Sequence, residues 1–269
     1  SLSRPNYVSI LSGVPPVASG VRTNAYYRRV DLDSLPRRAA AMGLPSAFVT
    51  DSASSVATLF RGDFAEVAYT TWDGGLHEAT RLALARDYRL VVLLPSAVDD
   101  CAHSRRMASP ACRATAGDVD RYLGEVAAQL DLERDTLIIT ADHGHVASGG
   151  HGGTEAAVLQ VPLVMVGAGI VPGADLGEPG LIDVAPTIAA LLGLPAPVHG
   201  LGAPLLAGLA LPDRVRVAVA DATERRVARN LAVVSAEQDA GARARAAARP
   251  AAWAGIALVA VAVGLVLTL

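Results

Sequence analysis

The chain has 269 residues with 23 basic and 26 acidic side chains, a formal net charge of −3. Every basic residue is arginine, and a balance this near neutral argues against a nucleic-acid binder. A hydrophobic content of 52% with only 4% aromatics excludes wholesale disorder and predicts small-residue packing, while two cysteines exclude a disulfide-dense scaffold or a four-cysteine zinc site.

In chain order, position 1 is serine, and Ser1-Leu2-Ser3-Arg4-Pro5 shows no basic start followed by an apolar run. No signal peptide is read, and the chain is expected to be cut at its start. Ser3-Arg4-Pro5-Asn6 leads into a helix-like Tyr7–Ser12 that stops at Gly13. Five short β-type runs follow: Ser46–Thr50, Glu66–Tyr69, Leu90–Leu94, Thr136–Thr140 and Pro162–Val166. Several are apolar on both faces, as strands of a helix-covered parallel sheet are. Helical stretches are expected at Asp33–Met42, Asp73–Arg86, Thr115–Leu130 and Asp183–Leu192, with Asp73 and Asp183 as N-caps. The alternation predicts an α/β fold, a mostly parallel central sheet covered by helices on both faces.

The composition changes after Pro212. From Asp213 to Arg249 arginine recurs at 214, 216, 225, 226, 229, 243, 245 and 249, which predicts one or two long surface helices with most arginines solvated. The 19 residues Ala251–Leu269 carry no charge. At ~1.5 Å per residue they match the ~30 Å hydrocarbon layer and predict a transmembrane helix. The expected organisation is a catalytic domain over 1–205, a helical connector over 206–250 and a membrane span over 251–269.

Polar clusters stand just beyond the predicted strand ends, where open α/β sheets place their sites. After Leu90–Leu94, Asp99 and His103 stand four residues apart in an expected loop. After Thr136–Thr140 come Ala141-Asp142-His143-Gly144-His145 and then Gly149-Gly150-His151-Gly152-Gly153. Four of six histidines thus fall in two clusters with aspartates and glycines, a donor set suited to zinc or another borderline divalent ion. A serine at a helix N-terminus beside such ions predicts an activated nucleophile, with the dipole and free N–H groups favouring phosphate or sulfate.

The order Ser-x-Pro-Asn, Asp-x-x-x-His, Thr-Ala-Asp-His-Gly and Gly-Gly-His-Gly resembles the alkaline phosphatase superfamily, particularly its phosphodiesterase and nucleotide pyrophosphatase branch. The runs VPLVMVGAGI and LIDVAPTIAALLGLPAPVHGLG are similar to ethanolamine-phosphate transferases of glycosylphosphatidylinositol anchor synthesis. The resemblance spans roughly Ser3 to Gly202. It implies a phosphodiester hydrolase or phosphoethanolamine-type transferase that is transiently phosphorylated on Ser3. Asp142 and His143 would hold the activating ion, Asp99, His103 and His151 a second one, both zinc, and Asn6 would contact a phosphoryl oxygen. The substrate would be a phosphate ester, including lipid-linked ones. The domain would face outward from a bacterial inner membrane, although Arg243, Arg245 and Arg249 beside the span would by themselves place it inside. The family's aspartate at the end of its first strand has no counterpart after Ser1, which leaves the activating ion one ligand short.

Alternatives remain at this stage. A sulfatase is suggested by Ser3-Arg4-Pro5, but Tyr7 stands where that family's arginine is expected; a non-catalytic, membrane-anchored domain of the same fold is the other class. Asp100 can replace Asp99 if the register differs. His145, at a position where the family commonly has Met, reads as a surface turn residue, a contact behind the ligands or a contact to substrate. His77 reads as a surface or capping residue, His199 as a packing residue or a site contact, and Asp51 as a pocket or capping residue. Cys101 is either bridged to Cys112 or free, the bridge being favoured.

Overall fold

The computed structural model describes the backbone of residues 2–51, 55–72 and 74–266, and the corresponding side chains up to 245 except that of residue 55. Two compact units divide the chain, Ser1–Val227 and Ala228–Leu269. In the first unit α1 (Ser3–Ser12), α2 (Pro16–Ser19) and α3 (Leu35–Ala41) precede β1 (Ser46–Thr50). Next come α4 (Ser55–Leu59), β2 (Glu66–Tyr69), α5 (Gly75–Leu84), β3 (Leu90–Leu94), α6 (Ala97–Ser104), α7 (Pro110–Ala128) and β4 (Thr136–Thr140). After α8 (Ala156–Leu159), β5 (Leu163–Gly167) and α9 (Val184–Leu191), the long helix α10 (Asp213–Val266) begins.

The central strand is β1, buried along its whole length and parallel to β2 on one side and β3 on the other. Its pleat sends Phe48 to one face, where it packs with Val8 and Leu11 of α1 and with Val92 and Leu94 of β3. Ala47 and Val49 point the other way, onto Leu76 and Ala83 of α5 and Tyr122 and Val126 of α7. Helices α3 and α9 add a third patch, with Leu35, Ala39, Ala185 and Ala189 around Leu90. The two-faced burial read from the apolar runs is therefore correct for β1, whereas β2 exposes Val67 and Tyr69.

The single central sheet is not found. Among the described residues the strands form two sheets, β2-β1-β3 and a separate antiparallel pair β4-β5 with Thr136 opposite Gly167 and Thr140 opposite Leu163. Helices α5 and α6–α7 make the crossovers that lead into β3 and β4. Between β4 and β5 the only helix is the four-residue α8, and a return without a long crossover permits an antiparallel neighbour.

Two local expectations change as well. Asp99 and His103 lie on α6, one helical turn apart, instead of in a loop. Asp183 occupies the N-cap position of α9 without capping it; its carboxylate accepts from the amides of Gly180 (2.9 Å) and Ala203 (2.7 Å) and ties the closing loop together. Asp73, the other expected cap, lies outside the described residues, and Gly74 holds the N-cap of α5.

Not every arginine of α10 is solvated. Arg216 donates to the carbonyls of Leu206 and Leu209, and the buried Arg226 donates to those of Gly200 (2.5 Å) and Gly202 (2.6 Å). The start of α10 is thereby part of the first unit. Residues 228–266 form the helix of the second. The expected span 251–269 lies outside the residues whose side chains are described; among the described residues no helix is long and apolar enough to cross a membrane.

Candidate metal centre

The site assembles at the carboxyl ends of β1, β3 and β4 with the N-terminus of α1 above them. Asp51, following β1, accepts from the Ser96 amide at 2.7 Å and so fixes the turn between β3 and α6. On α6, Asp99 faces the site. Asp100 points elsewhere, its carboxylate accepting from Ser96 Oγ at 2.9 Å, so the Asp99 register holds. The bridge between Cys101 and Cys112 is formed and joins α6 to α7 between the two candidate ligands of α6.

The segment after β4 supplies the histidines. Gly144 presses against the Ala157 carbonyl so closely that a Cβ would lie 2.0 Å from it, and its amide donates to the Val158 carbonyl at 3.0 Å. Gly149, at φ +92°, lies where a Cβ would be 2.5 Å from the Ala102 carbonyl and 2.8 Å from that of Arg105. Only glycine fits both the left-handed backbone and this contact with α6.

Two groups of donors result. His103 Nε2 lies 3.1 Å from His151 Nε2 and 3.5 Å from Asp99 Oδ1, while His151 Nε2 is 3.9 Å from the same oxygen. Donors ~2.0–2.2 Å from a tetrahedral ion stand ~3.3–3.6 Å apart, so this set fits a divalent cation. The second group is Ser3, Asp142 and His143. Ser3 Oγ is 3.0 Å from His143 Nε2, which is 3.3 Å from Asp142 Oδ2. His143 Nδ1 donates to the Gly144 carbonyl at 3.2 Å, a tautomer that turns the Nε2 lone pair toward the serine hydroxyl. The groups meet where the rings of His143 and His151 stack, centroids 3.7 Å apart.

The electrostatics also suit a cation. Burial first, then the Asp99 charge, raises the Asp142 carboxyl to about 6, and its Oδ2 is buried with no hydrogen-bond partner. Burial and then repulsion from His151 lower His143 to about 4, which keeps it neutral and able to donate a lone pair. A bound cation would relieve the buried carboxylate and favour the neutral imidazole.

Around Ser3 the helix end differs from expectation. Of the amides at positions 4–6, that of Arg4 donates to Asn24 Oδ1 (3.0 Å), Pro5 has none, and that of Asn6 closes the first turn on the Leu2 carbonyl (3.1 Å). Those three are not available to an anion, although the helix dipole remains. The Asn6 side chain donates to the Asp142 carbonyl at 2.5 Å and clamps α1 to the segment after β4.

One residue of the site was missed in the sequence, and a second, His145, was read two ways, at the surface or in contact with the site. Tyr7, one turn beyond Ser3, places its hydroxyl near Ser3 and Asp142; burial, with the Asp142 and Asp99 charges next, holds it far above the usual phenol range and hence protonated. The spacing Ser3 to Tyr7 was the available signal. His145 lies in the centre of the site instead of at the surface, 2.8 Å from Asp99 Oδ1. His77 and His199 stay outside: His77 pairs with Glu125 on the surface (2.7 Å), and His199 accepts from the Asp33 amide (3.0 Å).

Fold and donor set together define an alkaline-phosphatase-like metalloenzyme. The chain belongs to the Metalloenzyme superfamily, which matches residues 61–196, just over half of its length. The catalytic subunit of human GPI ethanolamine phosphate transferase 2 is 25% identical over 240 residues, 80% of this chain and 24% of that protein. The 2,3-bisphosphoglycerate-independent phosphoglycerate mutase of Dinoroseobacter shibae is 34% identical over 129 residues, 46% of this chain and 25% of that one. The chain thus spans about a quarter of the length of these relatives. A solved protein of the alkaline phosphatase superfamily from Vibrio parahaemolyticus shares the fold at a TM-score of 0.52 and 16% identity, over 70% of this chain and 54% of that one.

Proposed function

We propose that the chain carries the site of a phosphodiester hydrolase or phosphoethanolamine-type transferase that works through a covalent phosphoryl ester on Ser3 and two divalent ions, zinc being the best fit to the donors. The observation that carries this reading is the Ser3 hydroxyl 3.0 Å from the Nε2 lone pair of a neutral His143, with Asp142 beside it. Asp142 and His143 would hold one ion, and Asp99, His103 and His151 the other. Such ions, when bound, would lower the hydroxyl's pKa and neutralise charge on a phosphoryl group.

The chain's own groups do the rest. The dipole of α1 favours an anion over Ser3. The Tyr7 phenol, protonated and beside Ser3, can donate to a phosphoryl oxygen. Asn6 keeps Ser3 in register with Asp142 through its 2.5 Å bond to the Asp142 carbonyl. The name of the human relative supports a phosphoethanolamine-type, lipid-linked substrate, and the Cys101–Cys112 bridge supports an oxidising, extracytoplasmic compartment. An uncharged stretch over 251–269 would place such a site at a membrane.

The test is hydrolysis of a chromogenic phosphodiester by the zinc-loaded chain, with mass spectrometry of the quenched reaction. Wild type is expected to carry the phosphoryl ester on the Ser3 peptide, and Ser3→Ala to lose activity by at least about 10³-fold. Turnover unchanged in Ser3→Ala, or turnover of sulfate esters with phosphodiesters inert, would overturn the reading.

A further inference from the structure

We infer that His145 is a metal ligand, forming with Asp99 and His143 a three-donor set that shares the Asp99 carboxylate with the His103–His151 set, so that Asp99 joins the two ions. This deepens the reading of the site as a two-ion centre and rests on it. It also supplies a donor from within the segment after β4 to an ion for which Asp142 and His143 are otherwise the only side-chain ligands assigned besides Ser3.

Three observations carry it. The first is placement: donor atoms of Asp99, His143 and His145 all lie within 4.8 Å of one another, as do those of Asp99, His103 and His151, and Asp99 is the residue common to both sets. The rings of His143 and His145 are 5.4 Å apart and nearly perpendicular, so they do not stack and shield each other. The second is burial without satisfaction. The His145 side chain is 6% exposed, and its Nδ1 is buried with no hydrogen-bond partner. A buried polar atom left bare is destabilising and calls for a partner.

The third is that neither neutral tautomer of His145 satisfies its surroundings without a cation. With the proton on Nε2, the 2.8 Å contact to Asp99 Oδ1 is a hydrogen bond, and Nδ1 is left as a bare lone pair in the interior. With the proton on Nδ1, a buried donor has no acceptor, and the Nε2 lone pair faces a carboxylate oxygen at 2.8 Å. An ion on Nδ1 would take up the bare lone pair of the first tautomer, and an ion between Nε2 and the Asp99 carboxylate would remove the lone-pair clash of the second. The local chain enforces the position: Gly144 packs on the Ala157 carbonyl, and the Val146 amide donates to the Gly150 carbonyl at 3.1 Å, which folds the segment back and holds His145 inward.

The test is titration of the metal-freed full chain with Co²⁺, following the visible d–d bands, together with elemental analysis of zinc after dialysis. Wild type, His145→Ala and His145→Gln are compared, Gln keeping a donor toward Asp99 but being a poor ligand. The expected result is two ions per wild-type chain, and in both variants one ion lost or weakened by more than about 100-fold, with changed Co²⁺ bands. A residue that only orients Asp99 would cost about 10–100-fold and be rescued by Gln. Rescue by Gln, or two unchanged ions in both variants, overturns the inference while the metal centre stands. One ion in wild type overturns the shared carboxylate; no ion at all overturns the underlying reading as well.

Discussion

Cys101 sits between Asp99 and His103 on α6 and is bridged to the fully buried Cys112 of α7, so replacing both by alanine removes a tether from two candidate ligands at once. The bridge closes a loop with a sequence separation of 11. The chain-entropy relation, 2.1 + 1.5R ln n, gives about 9 cal/mol/K for such a loop, or ~3 kcal/mol at 25 °C. Cys101→Ala/Cys112→Ala is therefore expected to lower the unfolding free energy by ~3 kcal/mol, as is reduction of wild type. If half of the lost restraint is local to α6, ~1.4 kcal/mol, the dissociation constant of the ion held by Asp99 and His103 rises about tenfold. Alanine is the right replacement because serine would bury a hydroxyl at Cys112. The assays are urea unfolding by circular dichroism and zinc titration by competition with a chromogenic chelator. A loss under ~1 kcal/mol with unchanged zinc affinity would refute the reasoning and show that packing against the Gly149 turn is enough to place α6.

Other expectations follow from the same contacts. Gly149→Ala puts a Cβ 2.5 Å from the Ala102 carbonyl at a backbone φ of +92°, so it should move α6 away from His151 and weaken zinc binding by at least about tenfold in the same titration. Arg226→Met leaves the carbonyls of Gly200 and Gly202 without their charged donor; at ~1.5–3 kcal/mol each the loss should be ~3–6 kcal/mol in urea unfolding, whereas the exposed Arg225→Met should stay within ~0.5 kcal/mol. In the metal-free protein, Asp142 is raised from 3.8 to about 6, so this group adds stability as pH falls through 6, while His143, lowered from 6.5 to about 4, removes stability as pH falls from 6.5 toward 4. The two effects oppose each other between about pH 4 and 6. A bound ion needs Asp142 ionised and His143 neutral, so the gap in Tm between zinc-loaded and chelator-treated protein should be widest above pH 7 and shrink below about 6; a gap constant from pH 8 to pH 5 would contradict this assignment.

Much of the fold was legible because its strands are defined by local apolar runs. β1 is buried on both faces, and SAFVT reads that way without any knowledge of its neighbours. Strand direction is not local in this sense: the antiparallel seat of β5 depends on how residues 141–162 return, and nothing inside Leu163–Gly167 encodes it. The same division applies to charge. Arg216 and Arg226 look no different in sequence from Arg225, yet one helical face carries them to the backbone carbonyls of the closing loop. Their pairing follows from where α10 lies against residues 200–209, which no spacing along α10 reveals.

At the site, the chain supplied identity more readily than role. Asp99, His103, Asp142, His143, His151 and Ser3 were all recognisable from motif spacing, and the structure brings all six together. His145 stood in the same cluster, but its role stayed open between a surface turn residue and a contact at the site, because a histidine in a glycine-rich turn beside strand ends is ordinarily solvated. Its burial arises from Gly144, which packs its backbone on the Ala157 carbonyl and turns the next side chain inward. An aspartate and four histidines then share a space where Asp99 alone lies within 4 Å of three imidazoles. The buried Oδ2 of Asp142 and Nδ1 of His145 find no hydrogen-bond partner in that space. The polypeptide around this site is thus arranged for positive charge that its own side chains do not provide, and the arginines nearest in sequence, Arg4 and Arg105, do not supply it: Arg4 turns to Tyr27 and the Tyr26 carbonyl, and Arg105 ends α6 on the exposed side.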